Sequence, residues 1–392
     1  MMIQAVLGNP NHPEYGVATI PFPIPHDQYA HCMELLEALE IGDAVKTDCK
    51  VEKIDSFYTV LKRAEMLTVN VEELNYLAKR LESFDTGEAA QFQAMAHKLE
   101  LFELKDFINL TFCCQQATVI TDFSDLAAVG RDHYMNLHGG SASVDELNKL
   151  DGEETARRLI ENGSGKITPY GVVYDNGMKL EQVYDGRFFP CYYYEPNVIT
   201  VAVTSKAEPE DTEHITWLYL PMVQEEIDRA LLRGGITDPA DVRLRLEDSQ
   251  LPNEVDDMEC ETLSDLNELA AATDGLSKAD MEKLGAVVTL AEPKSAAQIK
   301  NLAENLDLFD FAPGTHTPEE YGKYMIRQSG HFDYDENLDA FYDYEKYGTE
   351  RMNAEDGMFT DRGYIAYKGY TSMEEVMNGS QSSHMEMGGF SR

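Results

Sequence analysis

The sequence predicts an α+β fold, a multi-domain chain built from two tandem copies of a small sheet-plus-helical-block unit. Segments with a hydrophobic period of two alternate with segments of helical period. The residue pattern of the first half returns in the second, and 392 residues exceed the usual size of one domain. Hydrophobic residues make up 43% of the chain, enough for several cores, which excludes wholesale disorder.

In the first half, alternating residues predict strands at 3–7, 17–22 and 49–54. Asn70 with Glu73, and Ser143 with Glu146, are capping pairs that predict helix starts. The predicted helices of this half lie at 26–39, 70–81, 88–101, 104–113, 124–137 and 143–150. Asn176-Gly177 predicts the type I′ turn of a hairpin, because both residues accept positive φ angles. Strand character continues over residues 188–204.

The second half shows a similar succession of elements. Strands are predicted at 217–220 and 242–246, and the alternation in 357–369 predicts a terminal hairpin. Thr317, followed by Pro318 and Glu320, predicts the start of a helix. The other helices of this half are predicted at 223–233, 262–272, 277–290, 295–306 and 339–352.

The two halves align as an internal repeat. Leu74-Asn75 aligns with Leu266-Asn267, and Gly130 with Gly322, at a constant separation of 192 residues. Further matches include Pro23 with Pro221 at 198, Ile41 and Asp43 with Ile236 and Asp238 at 195, and Asp175 and Gly177 with Asp361 and Gly363 at 186. The alternative is two unrelated α+β halves that align by chance. The predicted domains are 1–66, 67–150 and 151–213, then 214–260, 261–338 and 339–392, with the main boundary at the polar connector 206–213.

Charge is the unusual property of this composition. The chain has 71 acidic and 32 basic residues, a net charge of −39, and a pI near 4.4. Such a chain disfavours binding to nucleic acid or to an anionic membrane, and it favours a basic, DNA-binding partner. The alternative is a generic acidic protein. The charge is concentrated in Val242–Glu261, where seven carboxylates lie beside one predicted strand.

No set of residues indicates catalysis or a cofactor. The ten histidines form no metal motif, and no acid, base and nucleophile converge in a recognisable pattern. Asp333-x-Asp335-x-Asn337-x-Asp339 begins like a calcium loop, but Leu338 and Tyr344 stand where Gly and Glu are required. We therefore expect neither a metal nor a cofactor, and no enzyme. Six cysteines without a CxxC pair, no signal peptide and no long apolar run predict a cytoplasmic protein.

With these features in view, the sequence resembles the ArdA antirestriction proteins of conjugative elements, especially the long forms from Gram-positive anaerobes. The resemblance rests on residues 242–258, the Leu266-Asn267 helix, and segments 339–352 and 357–367, which include Tyr347-Gly348. Residues 20–29, 47–56 and 120–134 look like the long-form relatives. The first copy departs from the family pattern, because its equivalent of the acidic motif is surrounded by basic residues that reduce its net negative charge. They are Lys50, Lys53, Lys62 and Arg63.

The resemblance implies an elongated α+β protein whose carboxylates imitate bent B-form DNA in the DNA-binding groove of a type I restriction–modification enzyme, at its methyltransferase core. It leaves two forms of assembly open, a homodimer and a single chain whose fused units replace the dimer. The rival is an acidic interaction or scaffold protein of a mobile genetic element that binds another basic partner, such as a relaxase. The implied partner-binding carboxylates are Glu247, Asp248, Glu254, Asp256, Asp257, Glu259, Glu261, Asp333, Asp335, Asp339, Asp343 and Glu345.

Overall fold

The computed structural model describes residues 3–207, 214–255, 261–330 and 333–379. It confirms the α+β class, with helices and four small sheets. The chain divides into two compact units. Unit 1 comprises Met1–Glu195, Thr204–Trp217 and Val223–Val242, and unit 2 comprises Pro196–Val203, Leu218–Met222 and Arg243–Arg392.

Unit 1 begins with the elements that the first half of the sequence predicts, and most of the predicted bounds are correct within a few residues. Its elements are β1 (Ile3–Gly8), β2 (Val17–Phe22), α1 (Tyr29–Ala38), β3 (Cys49–Asp55), β4 (Thr68–Val69), α2 (Val71–Glu82), α3 (Thr86–Lys98), α4 (Leu104–Leu110), β5 (Thr118–Ile120), α5 (Leu126–Leu137), α6 (Val144–Lys149), α7 (Gly152–Asn162), β6 (Lys166–Thr168) and β7 (Gly171–Tyr174).

The first sheet of unit 1 has the strand order β2-β1-β3-β4, and its neighbouring strands pair antiparallel. Ala5 pairs with Ile20 on one side and with Ile54 on the other, and all three side chains are buried. Helix α1 contributes Tyr29 and Leu36 to the core, each about 1% exposed. The alternation that predicts these strands is therefore the alternation of buried and exposed side chains.

Helices α2, α3 and α4 form a block whose buried side chains include Leu77, Phe92 and Phe107. Asn70 caps α2 as predicted, because its side chain accepts a hydrogen bond of 3.1 Å from the backbone N–H of Glu73. A second sheet with the order β5-β7-β6 follows, and α5 and α7 pack together beside it.

One further helix of unit 1, α8 (Gln224–Arg233), comes from the second half of the sequence. Charged contacts bind it to the rest of the unit. Arg229 donates to Glu72 at 2.6 Å, and the buried Arg233 donates to Asn70 Oδ1 at 3.0 Å and to the carbonyl of Ala44 at 2.9 Å. Since these guanidinium groups are buried or partly buried, breaking their contacts would leave charge without partners.

Unit 2 holds the remaining elements. They are β8 (Ile199–Ser205), β9 (Thr216–Leu220), β10 (Val242–Ser249), α9 (Leu263–Thr273), α10 (Lys278–Ala291), α11 (Ala296–Ala303), β11 (Phe309–Pro313), α12 (Pro318–Arg327), α13 (Tyr344–Ala354), β12 (Asp356–Thr360), β13 (Gly363–Tyr367) and α14 (Met373–Met377); the ends of β8, β9 and β10 count with unit 1. The strand orders are β10-β8-β9 and β11-β13-β12. The predicted terminal hairpin is confirmed as the antiparallel pair β12 and β13.

The core of unit 2 combines helix and sheet residues. Val287, Leu302, Phe309 and Ile365 form one buried cluster, and Ala312, Tyr321, Met325, Tyr364 and Ala366 form a second, against β11 and β13. Strands β8 and β9 are neighbours in one sheet, so the predicted connector 206–213 joins two strands of that sheet. Residues 208–213 of this connector lie outside the described part.

Three predicted elements are wrong in position. The hairpin of unit 1 turns between Thr168 and Gly171, and not at Asn176-Gly177. Asn176 and Gly177 have positive φ as expected, but the Asn176 side chain donates to Gln116 O at 2.8 Å and no strand is present in 178–198. Residues 188–198 are likewise not a strand.

The third wrong element is the helix at 339–352. A short 3-10 helix occupies Glu336–Phe341, and α13 starts only at Tyr344, because Asp343 caps it. Among the described residues, no helix has the length and apolar character needed to cross a membrane.

Candidate acidic surface of unit 2

Strand β10 carries the first of the predicted carboxylates, and its exposed face is mixed in charge. Arg243, Arg245 and Glu247 are exposed at alternate positions, while the leucines between them are half-buried. Glu247 forms an ion pair with Arg245. Asp248 is exposed and accepts a hydrogen bond of 2.9 Å from the N–H of Ser249. The strand therefore extends three residues beyond its predicted end, and its carboxylates lie only at its C-terminal end.

Glu254 has a structural contact that the sequence did not indicate. Its two carboxylate oxygens accept hydrogen bonds of 2.6 and 2.8 Å from Arg362, in the turn between β12 and β13. The ion pair packs against Gly285 of α10, because an added Cβ at that position would lie 2.3 Å from Arg362 Nε. The hydrogen bonds from Arg362 lower the pKa of Glu254. Its charge is neutralised locally, so it is a poor candidate for binding a partner.

Glu261 also makes a local contact, because its carboxylate accepts a hydrogen bond of 3.0 Å from the N–H of Ala296 at the start of α11. The predicted site residues Asp256, Asp257 and Glu259 lie outside the described residues.

Asp339 joins the chain between α12 and α13 to both helices. It accepts from Tyr344 and from Tyr334, the latter at 2.7 Å, and it pairs with Arg327. Hydrogen bonds from Tyr344 and Tyr334, followed by the Arg327 guanidinium, lower the pKa of Asp339 to about 2. Like Glu254, this carboxylate holds the fold of unit 2 and has its own cationic partner.

The other predicted carboxylates of this region are exposed. Asp343 caps α13 by accepting from Lys346 N at 3.1 Å, and Glu345 lies in the first turn, where a negative charge is favourable. Asp335 accepts from Asn337 N at 2.9 Å, and Asp333 is exposed. These four residues are brought together by the segment 333–345, which precedes and begins α13.

Sequence reasoning missed other exposed carboxylates on or beside the same two helices. They are Glu319, Glu320, Glu336, Glu350, Asp356 and Asp361. A signal was available, since residues 317–361 contain 12 acidic and 4 basic residues. The acidic surface of unit 2 is thus carried mainly by α12, α13 and the segments around them, which we call the second helix pair, and less by strand β10.

Two motifs that carry the family resemblance are structural. Gly348, of the Tyr347-Gly348 dipeptide, allows α13 to touch α12, because an added Cβ would lie 1.8 Å from the carbonyl oxygen of Pro318. Asn267 binds the backbone of Met222, accepting from its N–H at 2.9 Å and donating to its carbonyl at 2.9 Å. Both residues position elements of unit 2.

Two open clefts lie in the described part of the chain, one in each unit. One, of about 1160 Å³ in unit 1, is lined partly by Asp85, Glu88 and Asp132. Asp85 and Glu88 form the capping box of α3, and burial raises the pKa of Asp132. The other, of about 450 Å³ in unit 2, is lined partly by Glu254 and Glu261. Neither cleft brings a nucleophile next to a base among the described residues.

Comparison with known proteins shows a similarity in the second half of the chain. Residues 212–366 match the model of a family described as antirestriction protein (ArdA). The match covers about two fifths of the chain and includes β10, the second helix pair and the hairpin of unit 2. By this match, the part of the chain from residue 212 to residue 366 is similar to the ArdA antirestriction proteins. A search of curated proteins gave no match.

Proposed function

We propose that this protein inhibits restriction as a DNA mimic: the acidic surface of unit 2 occupies the DNA-binding groove of a type I restriction–modification enzyme, at its methyltransferase core. The observation that carries the proposal is that the ArdA match contains the second helix pair, with its excess of exposed carboxylates. In this reading the protein is a stoichiometric competitor that acts in the cytoplasm of a bacterium receiving a conjugative element.

The physical basis is replacement of phosphates by carboxylates. A groove that binds DNA presents Lys and Arg side chains, and duplex DNA offers them one charge per about 1.7 Å of helix axis. The net charge of −39 supplies negative potential over the whole chain, which steers a basic partner towards it. Specific binding then requires carboxylates held in place. Capping by Asp343 and the packing of α12 against α13 provide this rigidity.

The contacts of Glu254 and Asp339 exclude these two residues from the carboxylates that we assign to partner binding. Both have arginine partners within unit 2, so a groove arginine would have to displace Arg362 or Arg327. Asp333, Glu336, Glu345 and Glu350 are exposed on the second helix pair. We therefore assign partner binding to these four residues, which we call the acidic set of unit 2, together with Asp248 at the end of β10.

The test is competition for DNA. Purified protein is titrated into a complex of a type I methyltransferase with labelled duplex, over a series of salt concentrations. The proposal predicts displacement near one protein per DNA site, weakening as salt rises, because the interaction is between charges. Absence of displacement at every salt concentration would contradict it and would favour the acidic scaffold that binds another basic partner.

A further inference from the structure

Unit 1 and unit 2 contain corresponding helices in the same order, and each helix start in unit 2 lies the same number of residues after its counterpart in unit 1. The N-terminal caps of α2, α3, α5 and α7 are Asn70, Asp85, Asp125 and Asp151, and those of α9, α10, α12 and α13 are Thr262, Ser277, Thr317 and Asp343. Each residue of the second series lies 192 positions after its counterpart. The short helix Val144–Lys149 likewise corresponds to Glu336–Phe341.

The sheets repeat as well. The order β5-β7-β6 in unit 1 equals the order β11-β13-β12 in unit 2, and β2-β1-β3 equals β9-β8-β10. Both hairpins turn in the same way. Thr168 Oγ1 donates to Gly171 O at 2.8 Å, and Thr360 Oγ1 donates to Gly363 O at 2.8 Å, again 192 residues apart. This register replaces the predicted alignment of Gly177 with Gly363.

Individual buried contacts repeat too. An added Cβ at Gly130 would lie 1.8 Å from the carbonyl oxygen of Gly152, and one at Gly322 would lie 2.0 Å from that of Tyr344. Asn75 accepts from the N–H of Ile24 at 2.8 Å, as Asn267 does from Met222. Contacts of this kind depend on particular residues, so chance alignment of two unrelated α+β halves does not explain them.

The charge does not repeat. We call α5, α7 and the segments around them the first helix pair. Residues 125–169, which contain it, align with residues 317–361 of unit 2. This segment has 8 acidic and 5 basic residues, against 12 and 4 in residues 317–361. Exposed positions account for the change: Ser141, Val144 and Arg158 stand where unit 2 has Asp333, Glu336 and Glu350.

We infer that residues 3–174, which lie in unit 1, are a second copy of the fold of residues 199–367, which contain the ArdA match, and that this copy has kept the architecture without the strongly acidic helix pair. Of the two helix pairs, the one in unit 2 is therefore the surface that faces a basic partner. This inference rests on the proposed function for the identity of the partner, but the location of the surface is independent of that identity.

The test compares two matched variants of the full chain. The first changes the acidic set of unit 2 (D333N, E336Q, E345Q and E350Q). The control neutralises the same number of exposed carboxylates in unit 1 (E37Q, E40Q, D145N and E161Q). Each is measured for displacement of duplex from a type I methyltransferase and, separately, for binding of a hexa-arginine peptide, which needs no restriction enzyme.

The inference predicts that the unit 2 variant binds the hexa-arginine peptide about tenfold more weakly, while the unit 1 variant changes by less than about twofold. Equal losses in the two variants would overturn it. If the wild-type protein binds the peptide with this asymmetry but displaces no duplex, the inference stands and the proposed function fails. Circular dichroism and the melting temperature check that both variants remain folded.

Discussion

The first and second helix pairs have the same architecture and different surfaces. In each, a glycine in the earlier helix lets the backbone of the later one approach, and an aspartate caps the later helix. Charge separates them, with 8 acidic and 5 basic residues in one segment and 12 and 4 in the other. Buried contacts therefore determine the fold of both helix pairs. Exposed positions contribute little to stability, so their charge can differ between the two pairs without changing the fold.

The largest expected effect tests the shared architecture. Gly322→Ala and Gly130→Ala each place a Cβ about 2 Å from a carbonyl oxygen, so the helices must separate. We expect each change to lower the free energy of unfolding by about 3 kcal/mol. Chemical denaturation of both variants measures this, and Gly87→Ala, whose nearest contact would be 3.2 Å away, is the control. A loss in only one variant would show that the two helix pairs are not equivalent.

A smaller effect separates the two units at the hairpin turn. Arg362 in unit 2 binds Glu254 through two hydrogen bonds, whereas its counterpart Tyr170 in unit 1 contacts Thr59 Oγ1 at 2.8 Å. Glu254→Gln should cost about 1–3 kcal/mol of stability, because the partly buried Arg362 loses its carboxylate. Tyr170→Phe should cost less than about 1 kcal/mol.

Urea denaturation monitored by circular dichroism gives both values. The same cost for both variants would contradict an ion pair specific to unit 2. Glu254→Gln would also reduce inhibition only as far as it destabilises the protein, since this carboxylate is assigned to the fold.

The smallest effect concerns pH. The pKa of Glu254 is lowered in the folded protein, so its contribution to stability is present above the unfolded pKa, near 4.5, and is lost as pH falls through the folded value. The wild-type melting temperature should therefore fall more between pH 5.5 and pH 3 than that of Glu254→Gln, by about 2 °C. Tyr170→Phe should follow the wild type. Parallel pH profiles for all three proteins would argue against this assignment.

Much of this fold was predictable because its signals are local. Capping residues such as Asn70 and Thr317, and the alternation around Ala5, determine their elements through contacts with near neighbours. The turn at Asn176-Gly177 was misplaced because its positive φ angles fit a hairpin, while the structure uses the Asn176 side chain to bind residues about 60 positions earlier. Contacts of that length leave no periodic trace in the sequence.

The candidate site was less predictable for a related reason. The sequence shows that residues 254 and 339 are acidic, but only the structure shows that Arg362 lies beside Glu254 and Arg327 beside Asp339. The motif that begins on β10 is easy to recognise because its seven carboxylates lie within fifteen residues, 247–261. The second helix pair carries more exposed carboxylates, spread over two helices and their connection, so their excess was visible only when residues 317–361 were taken together.

We propose the second helix pair as the surface that faces the restriction enzyme. The most direct measurement is the concentration of protein that displaces half of a labelled duplex from a type I methyltransferase, determined for the two charge-neutralised variants at one salt concentration. We predict that the concentration for half-displacement is about tenfold higher for the unit 2 variant than for the unit 1 variant. Equal concentrations, or a larger loss for the unit 1 variant, would contradict it.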